Sequence, residues 1–285
     1  MKDITPISRR AAVKSSIFGM LAVSIPNIGF LKEVCGVDNP VNEDLFHRYP
    51  CIDDKIVAEV VGASHFNLDR VKELVNKRPE LARATWDWAF GDWETELGAA
   101  SHVGRRDIAE FLMSKGARPD IFTYAMLGSY DTVKSMIETT PGVQSIMGPH
   151  GITLLQHVKN GMQSETSSEQ QKRDSSKLLS YLEGLGNADV QITNLNMEEG
   201  EMQKYLGDYM YGDGTEDGFS VKLNMRKMLS LGKLGKFGGG LFRKSENTFT
   251  YNGITSVEIS FELQKGSVIS LTVHEPDLTL RAKKV

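Results

Sequence analysis

At 285 residues, with 40 % apolar and 25 % charged side chains, the chain has the makeup of a folded protein of one large or two modest domains. Its formal net charge is only −4 and it carries no basic block interleaved with aromatics, which argues against nucleic acid as a partner. The two cysteines, Cys35 and Cys51, form no CxxC pair, so a cysteine zinc site or a thioredoxin-like redox motif has no support.

Residues 1–34 read as an address. Ser8-Arg9-Arg10-Ala11-Ala12-Val13-Lys14 precedes an apolar stretch from Ile17 to Phe30, the layout of a secretory signal. The segment resembles a twin-arginine leader: Ser8, Arg9, Arg10 and Lys14 match S-R-R-x-F-L-K, while Ala12 replaces the usual phenylalanine. That resemblance implies a bacterial protein that folds in the cytoplasm and works outside it, in the periplasm. Serines and Pro26 interrupt the apolar core, which is too short to be a good membrane span, so no stable span is expected once the leader is removed. Ala22-Val23-Ser24 is an acceptable cleavage site, and Lys32-Glu33-Val34 before Cys35 does not fit a lipoprotein box. The competing reading is an ordinary amphipathic N-terminal helix. Cys35 and Cys51 either pair as a disulfide in the exported protein or stay free.

Helical spacing dominates residues 53–190. In Thr95 to Asp120, Leu97, Ala100, Ile108, Phe111 and Leu112 fall in two short helical bursts, broken by Gly104 and closed by Gly116-Ala117. The stretch resembles an ankyrin repeat through Thr95, Leu97, Ala100, Gly104, Ile108, Leu112, Gly116, Ala117 and Pro119, with Glu96 and Gly98 replacing the usual proline and histidine. The same register recurs upstream in Ile56 to Val75, with Asp69 entering the second helix and Pro79 stopping it. It recurs downstream in Phe122 to Ile137 around Gly128, and a further unit opens at Gly151-Ile152-Thr153-Leu154 and resumes at Ser176-Lys177-Leu178. Gln163 to Ser175 is nearly devoid of apolar residues and reads as a surface insertion or an extended helix end. The resemblance implies an N-terminal α-solenoid of about four repeats, each stacked on its neighbours to present a binding surface.

All three tryptophans lie in Trp86-Asp87-Trp88-Ala89-Phe90-Gly91-Asp92-Trp93. In an ankyrin stack this connection is a β-hairpin finger on the concave side. Trp86, Trp88, Phe90 and Trp93 are therefore candidate protein contacts, with Asp87 and Asp92 as a negative rim suited to a basic or hydroxylated partner. His150, just before Gly151 in a later finger, joins them. The competing reading packs some of these rings inward.

After about Asn196, alternation replaces helical spacing. Gly218 to Leu223, Ser256 to Leu263, Ser267 to Val273 and Leu278 to Lys284 read as strands, with turns at Asp213-Gly214, Asn252-Gly253 and Lys265-Gly266. Seven or eight short strands predict a small antiparallel barrel or a strongly curved sheet over residues 202–285. The opening Leu206-Gly207-Asp208-Tyr209 and the late strands around Ile259-x-Phe261 and Gly266-x-Val268-x-x-Leu271-x-Val273 resemble the lipocalin-like accessory domain of bacterial exported serine hydrolases. That resemblance implies no catalytic residues. The fold class expected is α + β in two domains, helical repeats followed by a barrel-like domain.

A search for chemistry is unproductive at this level. The six histidines, His47, His65, His102, His150, His157 and His274, show no i, i+4 pair and no HExxH, so no metal ligand, cofactor or catalytic residue is assigned. G-x-S-x-G, P-loop and Rossmann patterns are missing. Asp213 to Gly218 faintly resembles a calcium loop but has Asn224 at the twelfth position and reads as an acidic turn. The expectation is a non-catalytic module that holds a protein partner on the finger side. The alternative is an enzyme or small-molecule sensor with a pocket in the β domain or between the domains, lined by residues such as Tyr209, Tyr211 or Arg226.

Overall fold

The computed structural model describes residues 50–285, apart from 166 and 237. The leader, its cleavage site and Cys35 lie outside the described residues, and Cys51 is exposed. The chain is α + β: helices fill the N-terminal part, and an eight-stranded antiparallel barrel closes the C-terminal part.

The helices come in pairs. They are α1 (Asp54–Ala63) with α2 (Leu68–Lys77), and α3 (Glu96–His102) with α4 (Arg106–Ser114). Then follow α5 (Ile121–Met126) with α6 (Tyr130–Thr139), and α7 (Leu154–Gly161) with α8 (Glu169–Leu185). Each first helix is opened by a side chain that caps a free backbone N–H: Asp53, Thr95, Asp120 and Thr153. The first helices pack side by side along the chain, α1 on α3, α3 on α5 and α5 on α7, while α2 packs on α4 and α6 on α8. Small residues at the contact (Ala99, Ala100 and Ala125, all fully buried) let these short helices approach closely. Polar bonds run between pairs: the Ser101 hydroxyl donates to Thr123 Oγ1 at 3.1 Å, Arg106 to the Leu127 carbonyl at 2.9 Å, and Asn160 to the His102 carbonyl at 2.5 Å.

Gly104 and Gly128 turn the chain between paired helices at φ +79° and +72°. A Cβ would overlap the Asn160 carbonyl at Gly104 and Ser175 at Gly128, so these positions require glycine twice over, for conformation and for space. The polar stretch from Gln163 is partly helix. Ser168 and Gln171 form a reciprocal capping box, so α8 starts at Glu169 rather than at Ser176. The extended helix end is the reading that holds; the spacing of apolar residues could not fix its start because these first two turns bury no apolar side chain and carry local pairs such as Lys172–Glu169 at 2.8 Å.

Between α2 and α3, β1 (Thr85–Asp87) and β2 (Trp93–Thr95) form the expected hairpin, with Trp86 opposite Glu94 and Asp87 opposite Trp93. The connection from α6 to α7 bends at Gly148, where Met147 bridges to Thr153.

A short helix, α9 (Glu199–Met202), leads into the barrel. Its strands are β3 (Gly207–Met210), β4 (Gly218–Leu223), β5 (Leu229–Lys233), β6 (Gly239–Ser245), β7 (Thr248–Tyr251), β8 (Ile254–Gln264), β9 (Ser267–Glu275) and β10 (Leu278–Lys284). Each pairs with the next in sequence, and β10 returns to β3. Asn252-Gly253 and Lys265-Gly266 make tight turns with both residues at positive φ, the geometry that matches strand twist. The interior is filled by side chains, as expected at this strand number: Tyr205, Tyr209, Phe249 and Phe261 meet edge to face, and Tyr209 Oη donates to the Tyr205 carbonyl at 2.6 Å. Tyr209 is thus a core residue, and Tyr211 lies partly exposed outside β3.

Candidate functional site

The finger hairpin, the bend before α7 and the β7–β8 turn meet at one place. Phe90 and Ala89, at the finger tip, pack on the barrel core, with Phe90 edge-on to Tyr251 at 5.0 Å between centroids. Asp92 is buried and spans the junction. Its Oδ1 accepts from the His150 backbone N–H at 3.0 Å, and its Oδ2 accepts from Asn252 Nδ2 and sits beside His150 Nδ1, each at 2.7 Å. Asn252 in turn accepts from the Gly240 N–H at 2.6 Å through its side-chain oxygen, which fixes its orientation. His150 is held at φ +59°, a strained conformation for a non-glycine residue that these bonds to Asp92 sustain.

Directly behind lies Glu94, whose side chain is fully buried. Alternation along β2 turns Trp93 and Thr95 outward and Glu94 inward. Trp88, on the opposing arm, donates its indole N–H to Glu94 Oε2 at 2.7 Å. Three imidazoles surround this carboxylate: His102 Nδ1 lies 2.9 Å from Oε1, His150 Nε2 3.4 Å from Oε1, and His65 Nε2 3.4 Å from Oε2. His65 and His102 stack edge to face at 4.9 Å, and His102 and His150 at 5.1 Å. His65 donates from Nδ1 to the Gly62 carbonyl at 3.1 Å.

The electrostatics follow from this crowding. Burial works against charge on the His150 ring, yet Asp92 and Glu94 outweigh it and push its pKa up to about 9. Burial likewise opposes the Glu94 carboxylate, and His102 and His150 override it, holding Glu94 well below the usual range. Burial dominates at His65 and lowers its pKa. One imidazole nitrogen and one carboxylate oxygen stay unsatisfied. His102 Nδ1 and Glu94 Oε1 are close, but neither is placed to make a hydrogen bond.

Beside the cluster is an open groove of about 330 Å³, walled by Trp93, Gly98, Phe122, Met147, Pro149 and Ile254 among others. Asp92 and Asn252 belong to both the groove wall and the histidine cluster. Of the residues the sequence singled out, Trp93 is 62 % exposed on the groove and Trp88 is 37 % exposed above Glu94. Trp86 is half-buried against the helical core, Phe90 is turned into the barrel, and Asp87 accepts from the Gly91 N–H at 3.0 Å. Asp92 and His150 are bonded to each other.

Sequence reasoning passed over Glu94, His65, His102 and Asn252. A signal for two of them was present: Ala63-Ser64-His65 and Ala100-Ser101-His102 repeat the same tripeptide at the same place in successive helix pairs. In both, the serine hydroxyl donates to the carbonyl four residues back, and the histidine stands at the helix end, His102 as the last residue of α3 and His65 in the turn just after α1. Neither a protein-family model nor a curated protein matches the chain.

Proposed function

We propose that the chain is a non-catalytic protein-binding module that works outside the cytoplasm and holds its partner on the finger side of its helix pairs. On this reading the pairs are a short stack of about four ankyrin-type repeats, and the barrel is an accessory domain of lipocalin-like type. The match of Thr95 to Asp120 to the repeat pattern and the row of first helices favour it. The observation that carries the functional part is the open groove with Trp93 standing 62 % exposed on its wall, a large rigid ring that makes no side-chain hydrogen bond or ring contact among the described residues. The exposed Asp120 also lines this groove, so the occupant that fits is an extended protein segment bearing a basic side chain.

Capture of partners from the exported fraction, by wild type against Trp93→Ala, tests the idea. Loss of a central aromatic contact weakens binding by roughly 30-fold, with the melting temperature unchanged. Equal capture by both proteins sinks it. A small ligand in the same groove is the second reading, favoured by the participation of Asn252, Gly253 and Ile254, which close one side with the barrel.

A further inference from the structure

We propose that His65, Glu94, His102 and His150 form a binding site for a divalent transition metal, with zinc the ion the donor set suits best. The inference is independent of the partner-binding reading. Each residue offers one ligand atom, and these atoms all lie within 4.8 Å of one another. Zinc bonds imidazole nitrogen and carboxylate oxygen at about 2.0–2.2 Å, which places tetrahedral donors roughly 3.4 Å apart. The separations of 2.9 and 3.4 Å from Glu94 Oε1 to His102 Nδ1 and His150 Nε2 are close to that spacing, and His65 Nε2 lies 3.4 Å from the other oxygen, Oε2.

Three further features distinguish a metal site from an ordinary polar network. The outer atoms are already committed. His150 gives Nδ1 to Asp92, which Asn252 holds in turn, and His65 gives Nδ1 to the Gly62 carbonyl. In the neutral form of each ring this leaves the Nε2 lone pair facing the centre, the tautomer a metal requires, and at His150 an incoming metal displaces a proton. Trp88 likewise occupies Glu94 Oε2 and leaves Oε1 to face the centre.

The inner atoms are uncommitted. Glu94 is 1 % exposed and His102 7 %, yet Glu94 Oε1 and His102 Nδ1 have no hydrogen bond in spite of their 2.9 Å separation. Two buried polar atoms this close with no hydrogen bond between them are costly, and a cation bound by both would remove that cost. Among the described residues, the ion pairs of the two buried carboxylates Asp92 and Glu94 are with histidines. A divalent ion that displaced the ring protons would balance the two carboxylates. Nitrogen donors select zinc and its neighbours over magnesium or calcium, which take oxygen.

The ligands come from the turn after α1, from β2, from the end of α3 and from the bend before α7. Metal binding would therefore tie the first two helix pairs and the hairpin between them to the bend before α7. The test uses the full chain, stripped by a chelator and with thiols blocked so that Cys35 and Cys51 do not bind. Zinc is titrated by calorimetry, and cobalt(II) serves as a spectroscopic substitute. One equivalent per chain is expected, with tetrahedral-type cobalt bands and no comparable uptake of magnesium or calcium. His102→Gln and Glu94→Gln should weaken zinc binding by at least about 100-fold, and Asp92→Asn by about 10-fold, while His274→Gln on the barrel leaves it unchanged. His65→Gln, at the partly exposed edge of the cluster, keeps the test open if a buried variant fails to fold. Zinc bound no more tightly by wild type than by His65→Gln, or a cobalt spectrum unaltered in that variant, overturns the proposal.

Discussion

Two buried side chains give the molecule opposing responses to pH. His157 lies fully buried in α7, its ring 4.8 Å from that of Phe122, with Nδ1 bonded to the Thr153 carbonyl at 2.8 Å. Burial pushes its pKa down to about 4. An unfolded histidine takes up a proton near pH 6.5, so the folded state is fully favoured above that pH and loses stability as pH falls towards 4. His157→Gln should flatten this slope, worth up to roughly 3 kcal/mol, in urea melts between pH 7 and 4. Glu96 behaves oppositely. Burial raises its pKa to about 8, and its Oε2 has no partner. The protonated form is the one the fold accepts, so its contribution is complete below about pH 4.5 and is lost as pH rises to 8. Glu96→Gln should therefore stabilise the protein at pH 8 by roughly 2 kcal/mol and do little at pH 4. A variant equally stable at both pH values relative to wild type would show that this carboxyl is not buried as described.

At the level of elements, the turns within the helix pairs are the most constrained positions. Gly104→Ala forces both a left-handed alanine and an overlap with the Asn160 carbonyl, and Gly128→Ala does the same against Ser175. Each should cost about 2–4 kcal/mol in a denaturant titration, whereas Gly116→Ala, with open space at its Cβ, should cost less. These glycines, the finger hairpin and most barrel strands were legible because each leaves a local mark: a breaker, a cluster of aromatics or a period of two. The start of α8 was not, because its first turns bury no apolar side chain. The histidine cluster was not, because its members come from separate elements. Spacing within one helix cannot reveal donors that only tertiary packing gathers, and Glu94 looked like one more charged strand residue. The repeated Ala-Ser-His was the trace that was available.

For the whole molecule, the helical part and the barrel are joined through the finger tip. Phe90 supplies the apolar contact and Asp92 with Asn252 the polar one. Phe90→Ala should cost about 3 kcal/mol and make the connecting residues 190–198 more sensitive to limited proteolysis, because Ile192 in this stretch lies against Gly151 and Gly253 beside the junction. Unchanged cleavage there would show that the junction does not depend on the ring. The barrel carries a different vulnerability. Its closure depends on a short seam in which only Lys283 and Lys284 pair with Met210 and Tyr209, supplemented by the Val285 N–H on the Asp208 carbonyl at 3.0 Å. Removing residues 283–285 would leave β3 and β10 as two raw edges, each a template for another chain. The last three residues thus act as a latch against self-association, and a truncated chain should report their loss in a sedimentation profile shifted to larger species.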